Sequence, residues 1–345
     1  MKKEAFLQAL EDRLTPLGVE ERRQICAYYS ELILDGIELG KNEEEIILSL
    51  GSPDEAAARI IKDYEDYGQR LSSLPPQVQG GDYSAPAQDI RSIDIDTRDT
   101  PIEIAPAAGD TVRIAFHPRK GIDEVSSDIA DGTFTFRHRM RPFSFHIFNW
   151  FRIGVKIRLE IPGAYKGDVC IRTSNASVHA ADLAAGNLNL ITSNAKVSAE
   201  RINCQLLHIK TSNAKVIAGS IHCLPLDIET TNGAILLGDI HAERVRAATS
   251  NARINAEHLT AAGEISLKTN NAALTFSDLP CTRLELKTSN APVTGTLYGD
   301  MRAYSIQSHT SNAACNLPAN AVYPELEKSL SVHTSNGRIH IDFVR

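Results

Sequence analysis

Nine asparagines recur in the second half of the chain: Asn175, Asn194, Asn213, Asn232, Asn251, Asn271, Asn290, Asn312 and Asn336. Each sits inside the word TSNA or a near copy of it. Carboxamides carry both donors and acceptors, so such a row suits a ladder of amides bonded to one another, or a line of hooks for a polar ligand. One position before the Thr of the word, or four after it, stand Arg172, Lys196, Lys210, Lys215, Arg253, Lys268 and Lys287. They make a basic stripe that could meet an anionic polymer or an acidic partner. Cations on exposed strands also serve solubility and guard sheet edges. His309 and His333 precede the last two copies, but two imidazoles without a third ligand are weak material for zinc. Asp227, Glu229 and Glu285 are too sparse to supply the paired carboxylates of glycoside cleavage. No GxSxG, HExxH or phosphate-cradling loop occurs. The residues thus point to a non-enzymatic protein with no cofactor and no metal, and to the asparagine row as a building rule.

The spacing of the word says what must carry it. Successive Thr positions lie 19, 19, 19, 19, 20, 19, 22 and 24 residues apart, the signature of a solenoid. Counted from each Thr as zero, positions −4 and −2 are almost all Val, Ile or Leu, as in Leu188 and Leu190, or Leu226 and Ile228. Position +5 is again apolar, as in Val197, Val216 and Ile235, and +7 and +10 are small or apolar. Alternation places −4, −2 and zero on one face of a strand. Zero and +5 differ by an odd number, so the chain must bend between them, at the S-N-A. Nineteen residues allow short strands and turns but require no helix, which predicts a β-roll or β-helix with rungs stacked ~4.8 Å apart. Asn tolerates the left-handed conformation that tight corners use, which is one expected reason for its presence.

A further rung is expected upstream in SIDIDTRDTPIEIA, with Asp99 in place of the Asn. Residues 105–165 read as an irregular capping insertion with strand-like runs TVRIAFHP, GTFTFRHRM and GVKIRLEIP. Its aromatic segment, with Phe148 and Trp150, is expected to cover an end or flank of the roll. This half, roughly 90–345, resembles the bacterial putative-adhesin family of TSN/TSG-repeat β-roll proteins. The resemblance implies the fold; its adhesin label implies export.

The first seventy residues differ. Apolar residues at helical spacing, a capping signal at Asn42 and a denser one in Ser52-Pro53-Asp54-Glu55 predict a small helical bundle. FLQALEDRL, EERRQICAYYSELILDGIELG and NEEEIILSLGSPDEAAARII together resemble the bacterial HAAS signalling domain over about 1–66. That resemblance implies protein–protein contact, with a PadR-type transcription regulator as the partner class. Candidate contact residues are Tyr28, Tyr29, Glu31 and Ile33, with Phe148 and Trp150 in the other half.

The whole reads as α plus all-β: a helical interaction domain over 1–70, a flexible linker over 71–90, and a β-solenoid over 91–345. Residues 1–70 hold 9 Lys and Arg against 16 Asp and Glu, while the remaining 275 residues balance. An acidic head and a neutral body argue against direct nucleic-acid binding. No run of residues is long and apolar enough to span a bilayer, and MKKEAFLQALEDRL lacks the apolar core of a secretory signal. Six cysteines without a CxxC pair fit a reduced, cytoplasmic setting. The expected function is a regulatory adaptor whose head binds a protein while the solenoid presents a binding or sensing surface. The alternative is a structural or anionic-polymer-binding solenoid, dimerised or localised by its head. Self-association through the solenoid ends is a further possibility that the repeat leaves open.

Overall fold

In a computed structural model the described residues are 2–18, 22–23, 25–26, 29–30, 33, 37, 42–72, 82–118, 123–140 and 156–344, with 63–72 described by backbone alone. They divide into two compact units, a helical one within residues 1–80 and a β unit of Gly81–His117, Val125–Met140 and Lys156–Arg345.

The helical unit contains α1 (Lys3–Arg13), α2 (Glu43–Leu50) and α3 (Pro53–Ser72), and the described residues between 22 and 37 are helical as well. Caps set the two later starts. The Asn42 side chain accepts the Glu44 N–H at 2.9 Å. At α3 the Ser52 N–H donates to the Glu55 carboxylate at 2.9 Å and the Glu55 N–H donates to Ser52 Oγ at 3.2 Å, a reciprocal capping box. Phe6, Leu10, Leu14, Ile25, Ile33, Ile47 and Ile60 close a core beneath these helices. The linker expected over 71–90 is trimmed from both sides: α3 continues through Ser72, and β1 (Asp82–Pro86) already pairs with β4 (Thr111–Ala115). Residues 73–81 lie outside those described.

The β unit is a stack of parallel rungs. Each rung is named here by the residue at its zero position. Rung 97 is built of β2 (Ser92–Asp96) and β3 (Ile102–Ala107), and rung 173 of β8 (Asp168–Arg172) and the start of β9 (Val178–Ile191). From there β10 (Val197–Lys210), β11 (Val216–Glu229), β12 (Ile235–Ala248) and β13 (Ile254–Lys268) each run from one rung into the next. Rung 269 continues into β14 (Leu274–Ser277), and rung 288 joins β15 (Arg283–Lys287) to β16 (Val293–Tyr298). The pairings are parallel and in register at 19-residue offsets, for example Leu188 with Leu207 and Leu207 with Leu226. Positions −4, −2 and +5 are sealed: Leu207, Leu226, Ile209, Ile228, Val216 and Ile235 are all fully buried. Each such side chain contributes about 1.5–3 kcal/mol relative to exposure, so the columns hold the stack together.

The segment 105–165 is not an irregular cap. After β5 (Asp123–Ala130), β6 (Thr133–Met140) and β7 (Ile157–Pro162) lie parallel to β2 and β3 and form strands of a layer outside rung 97. In that layer His138 occupies the threonine position, fully buried, with Nδ1 3.1 Å from Thr97 Oγ1. The antiparallel β4 then flanks β7. The strand-like runs of the sequence thus give β4, β6 and β7, and alternation in TFTFRHRM makes β6 a rung strand. The aromatic segment with Phe148 and Trp150 lies outside the described residues.

Chain order and stacking order part company at the other end also. β19 (Lys328–His333) and β20 (Ile339–Val344) of rung 334 pair directly with β15 and β16 of rung 288. β17 (Tyr304–His309) of rung 310 lies on the far side of β19, with β18 (Asn320–Ala321) antiparallel to it. The stacking order is therefore 288, 334, 310.

Candidate functional site

The corner spelled TSNA is a ladder of hydrogen bonds. Each asparagine Nδ2 donates to the Oδ1 of the previous rung: Asn194 to Asn175 at 2.8 Å, then Asn213, Asn232, Asn251, Asn271 and Asn290 each to its predecessor at 2.7 Å. Asn336 donates to Asn290 and Asn312 to Asn336, following the spatial order. Asn175 donates to Asp99 at 2.8 Å, so the carboxylate in the asparagine's place begins the ladder as an acceptor. Backbone and threonine add to it. The Ser174 carbonyl accepts the Ser193 and Asn194 N–H groups and, at 3.4 Å, the Thr192 hydroxyl. The buried threonines repeat this contact rung after rung. A polar word is thereby satisfied beside an apolar core.

One expectation is corrected at this corner. None of the nine asparagines has positive φ. They stand in right-handed or extended backbone, and the amide ladder rather than left-handed conformation is what their side chains supply. Where glycine replaces alanine after the Asn, space is the reason: a Cβ on Gly233 would meet the Ala214 carbonyl oxygen at 1.7 Å.

Left-handed residues do occur, at a second corner nine residues past the threonine. Asp182, Arg201, Ser220, Asp239, His258 and Asp278 have φ between 53° and 56°. The inversion there lets both +7 and +10 face inward, as Ala199 and Ile202 do. Sequence reasoning missed this column because the residue types vary; the odd step between two apolar columns was its signal. Polar neighbours pair along it. Arg201 clasps the Asp182 carboxylate, with Nη2 donating at 2.7 Å, and His258 lies 3.6 Å from Asp239. The hydrogen bond from Arg201 holds Asp182 below the ordinary carboxylate range.

The basic stripe divides in two. On the −1 column Arg172 pairs with Asp94 at 2.6 Å, Lys210 with Glu229 at 3.3 Å and Lys268 with Glu285 at 2.7 Å. Carboxylates interleaved on the same wall answer these cations. Exposed pairs of this kind contribute little stability, but they cancel local field. Lys196, Lys215 and Arg253 of the +4 column, and Lys287 of the −1 column, make no ion pair among the described residues. His309 and His333 stack with ring centroids 5.2 Å apart, brought together by the swapped rung order.

A shallow groove of about 350 Å³ opens along the third turn of the stack, lined by Pro225, Glu243, Arg244, Gly263, Glu264, Thr282 and Arg283. It lies at the single 20-residue rung, where the pairing slips by one between Ala242 and Arg244. Among the described residues no group of three or more His, Cys, Asp and Glu could hold a metal ion. The cysteines behave as core or wall residues without disulfides. Burial raises the Cys26 and Cys281 thiols to about 11, and a hydrogen bond with Cys223, reinforced by burial, holds Cys204 well above the usual thiol range.

In the helical unit, Tyr29 and Ile33 do not present themselves to a partner. They are 4% and 0% exposed within the core, Tyr29 against Phe6 at 5.7 Å between ring centroids. A bundle this small needs its widest apolar stripe to close on itself. Tyr28 and Glu31 lie outside the described residues. Among the described residues of this unit, Leu48 of α2 faces outward, 79% exposed, and Ile37 does so to a lesser degree. No helix among the described residues is long and apolar enough to cross a membrane.

Fold and corner together define a parallel β-solenoid, in one chain with a small helical module. The chain belongs to the Toastrack DUF4097 family, whose model matches residues 90–342, and a HAAS model matches residues 5–59. Solved structures similar to it include a putative adhesin from Bacteroides fragilis NCTC 9343, 12% identical, covering 79% of this chain and 100% of that one with a TM-score of 0.39. Another is a putative adhesin from Parabacteroides merdae ATCC 43184, also 12% identical, covering 78% and 99% with a TM-score of 0.37. No curated protein matches the chain.

Proposed function

We propose that this protein is a cytoplasmic regulatory adaptor whose helical module binds a protein, with a PadR-type transcription regulator as the partner class, while the solenoid presents a binding or sensing surface. The observation that carries this reading is Leu48. It projects into solvent from a short helix whose other face, Ile46 and Ile47, is buried. A contiguous exposed apolar patch marks a contact surface, and Leu48 is taken as the centre of one. Unpaired cysteines support a reduced compartment. The test compares intact chain with Leu48→Glu as bait in lysate of the native cell, with circular dichroism as a check on folding. The reading expects a transcription regulator retained by the intact chain and lost from the variant. Equal retention by both removes Leu48 and this surface from the account.

A second reading, anionic-polymer binding by the solenoid, is favoured by the unpaired cations Lys196, Lys215 and Arg253 on one column. It expects binding that weakens steeply with added salt and with Lys196→Gln plus Lys215→Gln.

A further inference from the structure

The outward position eleven residues past the threonine holds histidine on two adjacent rungs. His222 and His241 are in-register neighbours on β11 and β12. Their rings stack with centroids 4.8 Å apart and planes inclined by 22°. Both side chains are exposed, and neither makes a hydrogen bond or ion pair among the described residues. Their in-register neighbours along the stack, Asn203 and Thr260, are uncharged. Glu243 lies two residues beyond His241, outward on the same strand.

Two imidazoles held side by side by parallel strands bring two nitrogen donors together. Nitrogens bound at 2.0–2.1 Å to one tetrahedral ion lie about 3.4 Å apart. As stacked, with planes 22° apart, the rings send their in-plane lone pairs out nearly parallel, so convergence on one ion requires the two exposed rings to turn about their side-chain bonds, from strands already in register. Imidazole suits Zn²⁺, Ni²⁺ and Cu²⁺ and has little affinity for Mg²⁺ or Ca²⁺. We propose that His222 and His241 form a two-imidazole site for a borderline divalent transition metal, with its remaining positions open to water or to donors of a bound molecule. An open coordination sphere makes this an anchoring site, unlike the closed four-ligand sites that stabilise folds.

The other stacked pair is less suited. His309 and His333 are 5.2 Å apart, His309 Nε2 lies 3.3 Å from Ser311 Oγ, and Lys287 is the next residue along their column. An ammonium there opposes a cation.

The test is calorimetric titration of Zn²⁺ into the intact chain and into His222→Gln, His241→Gln and His309→Gln. One Zn²⁺ per chain is expected. Affinity should fall at least about tenfold in each of the first two variants, since even outer-sphere partners of a metal act on that scale, and should hold in the third. No binding to the intact chain, unchanged affinity in His222→Gln, or loss confined to His309→Gln would each overturn the assignment.

Discussion

Two corners of the same rung solve the same problem by different means. At the first, side chains reinforce the bend: threonine hydroxyls and asparagine amides, beside the backbone N–H groups of serine and asparagine, hydrogen-bond to the rung before, and the asparagine repeats because its partner is its own copy. At the second, the backbone does it, through one residue near φ +55°, and Asp, Arg, Ser and His all serve. A corner made of side-chain bonds is spelled in the sequence. One made of a dihedral angle is not, because several residue types tolerate the left-handed region at a modest cost.

The contrast can be broken most directly at Asn232, which donates to Asn213 and accepts from Asn251. Asn232→Ala removes both amide bonds and should lower stability by about 1–3 kcal/mol in urea unfolding, since each bond contributes about 0.5–1.5 kcal/mol. A value near zero would mean the ladder is ornament. Glycine should act with opposite sign at the two corners. Ser220→Gly relieves a left-handed serine and should stabilise by about 0.5 kcal/mol, whereas Ala214→Gly, where φ is not positive, should destabilise by about 0.5–1 kcal/mol. Equal signs in the two variants would erase the distinction.

The smallest effect concerns charge on the second corner. Arg201 depresses the Asp182 carboxyl below its ordinary 3.8. A carboxyl depressed in the folded state adds stability above its unfolded value, and that stability is lost as pH falls through the folded value. Asp182→Asn should therefore leave Tm slightly lower at neutral pH, and the two Tm curves should converge as pH falls below 3.8. Parallel curves across that range would show the pair to be inert.

Much of the β unit was legible for the reason just given. The 19-residue period and the sealed columns, such as Leu207 under Leu226, follow from residue types alone. The corner word was visible too, though its asparagines were credited with a backbone conformation that belongs nine residues past the threonine. What stayed hidden is what a linear text does not encode. Rung 334 lies between rungs 288 and 310, and nothing in TSNA or TSNG specifies which copy sits above which. The layer of His138 is hidden because histidine replaces the threonine. In the helical unit Tyr29 and Ile33 read equally well as core or as contact, and periodicity does not separate a stripe that closes a bundle from one that leaves it open.

The interleaving of rungs 334 and 310 bears on how the molecule is made. Synthesis delivers rung 310 first, yet its β17 rests on β19, a strand still to come. Until then Tyr304 and Ile306, buried in the finished stack, have no floor, and β15 and β16 stand as open edges. Simple repeats can zip up one layer at a time. Here the final layers must close as a unit, so the newborn chain carries an unguarded sheet edge for a defined interval, the stage at which it is most exposed to mispairing with a neighbour.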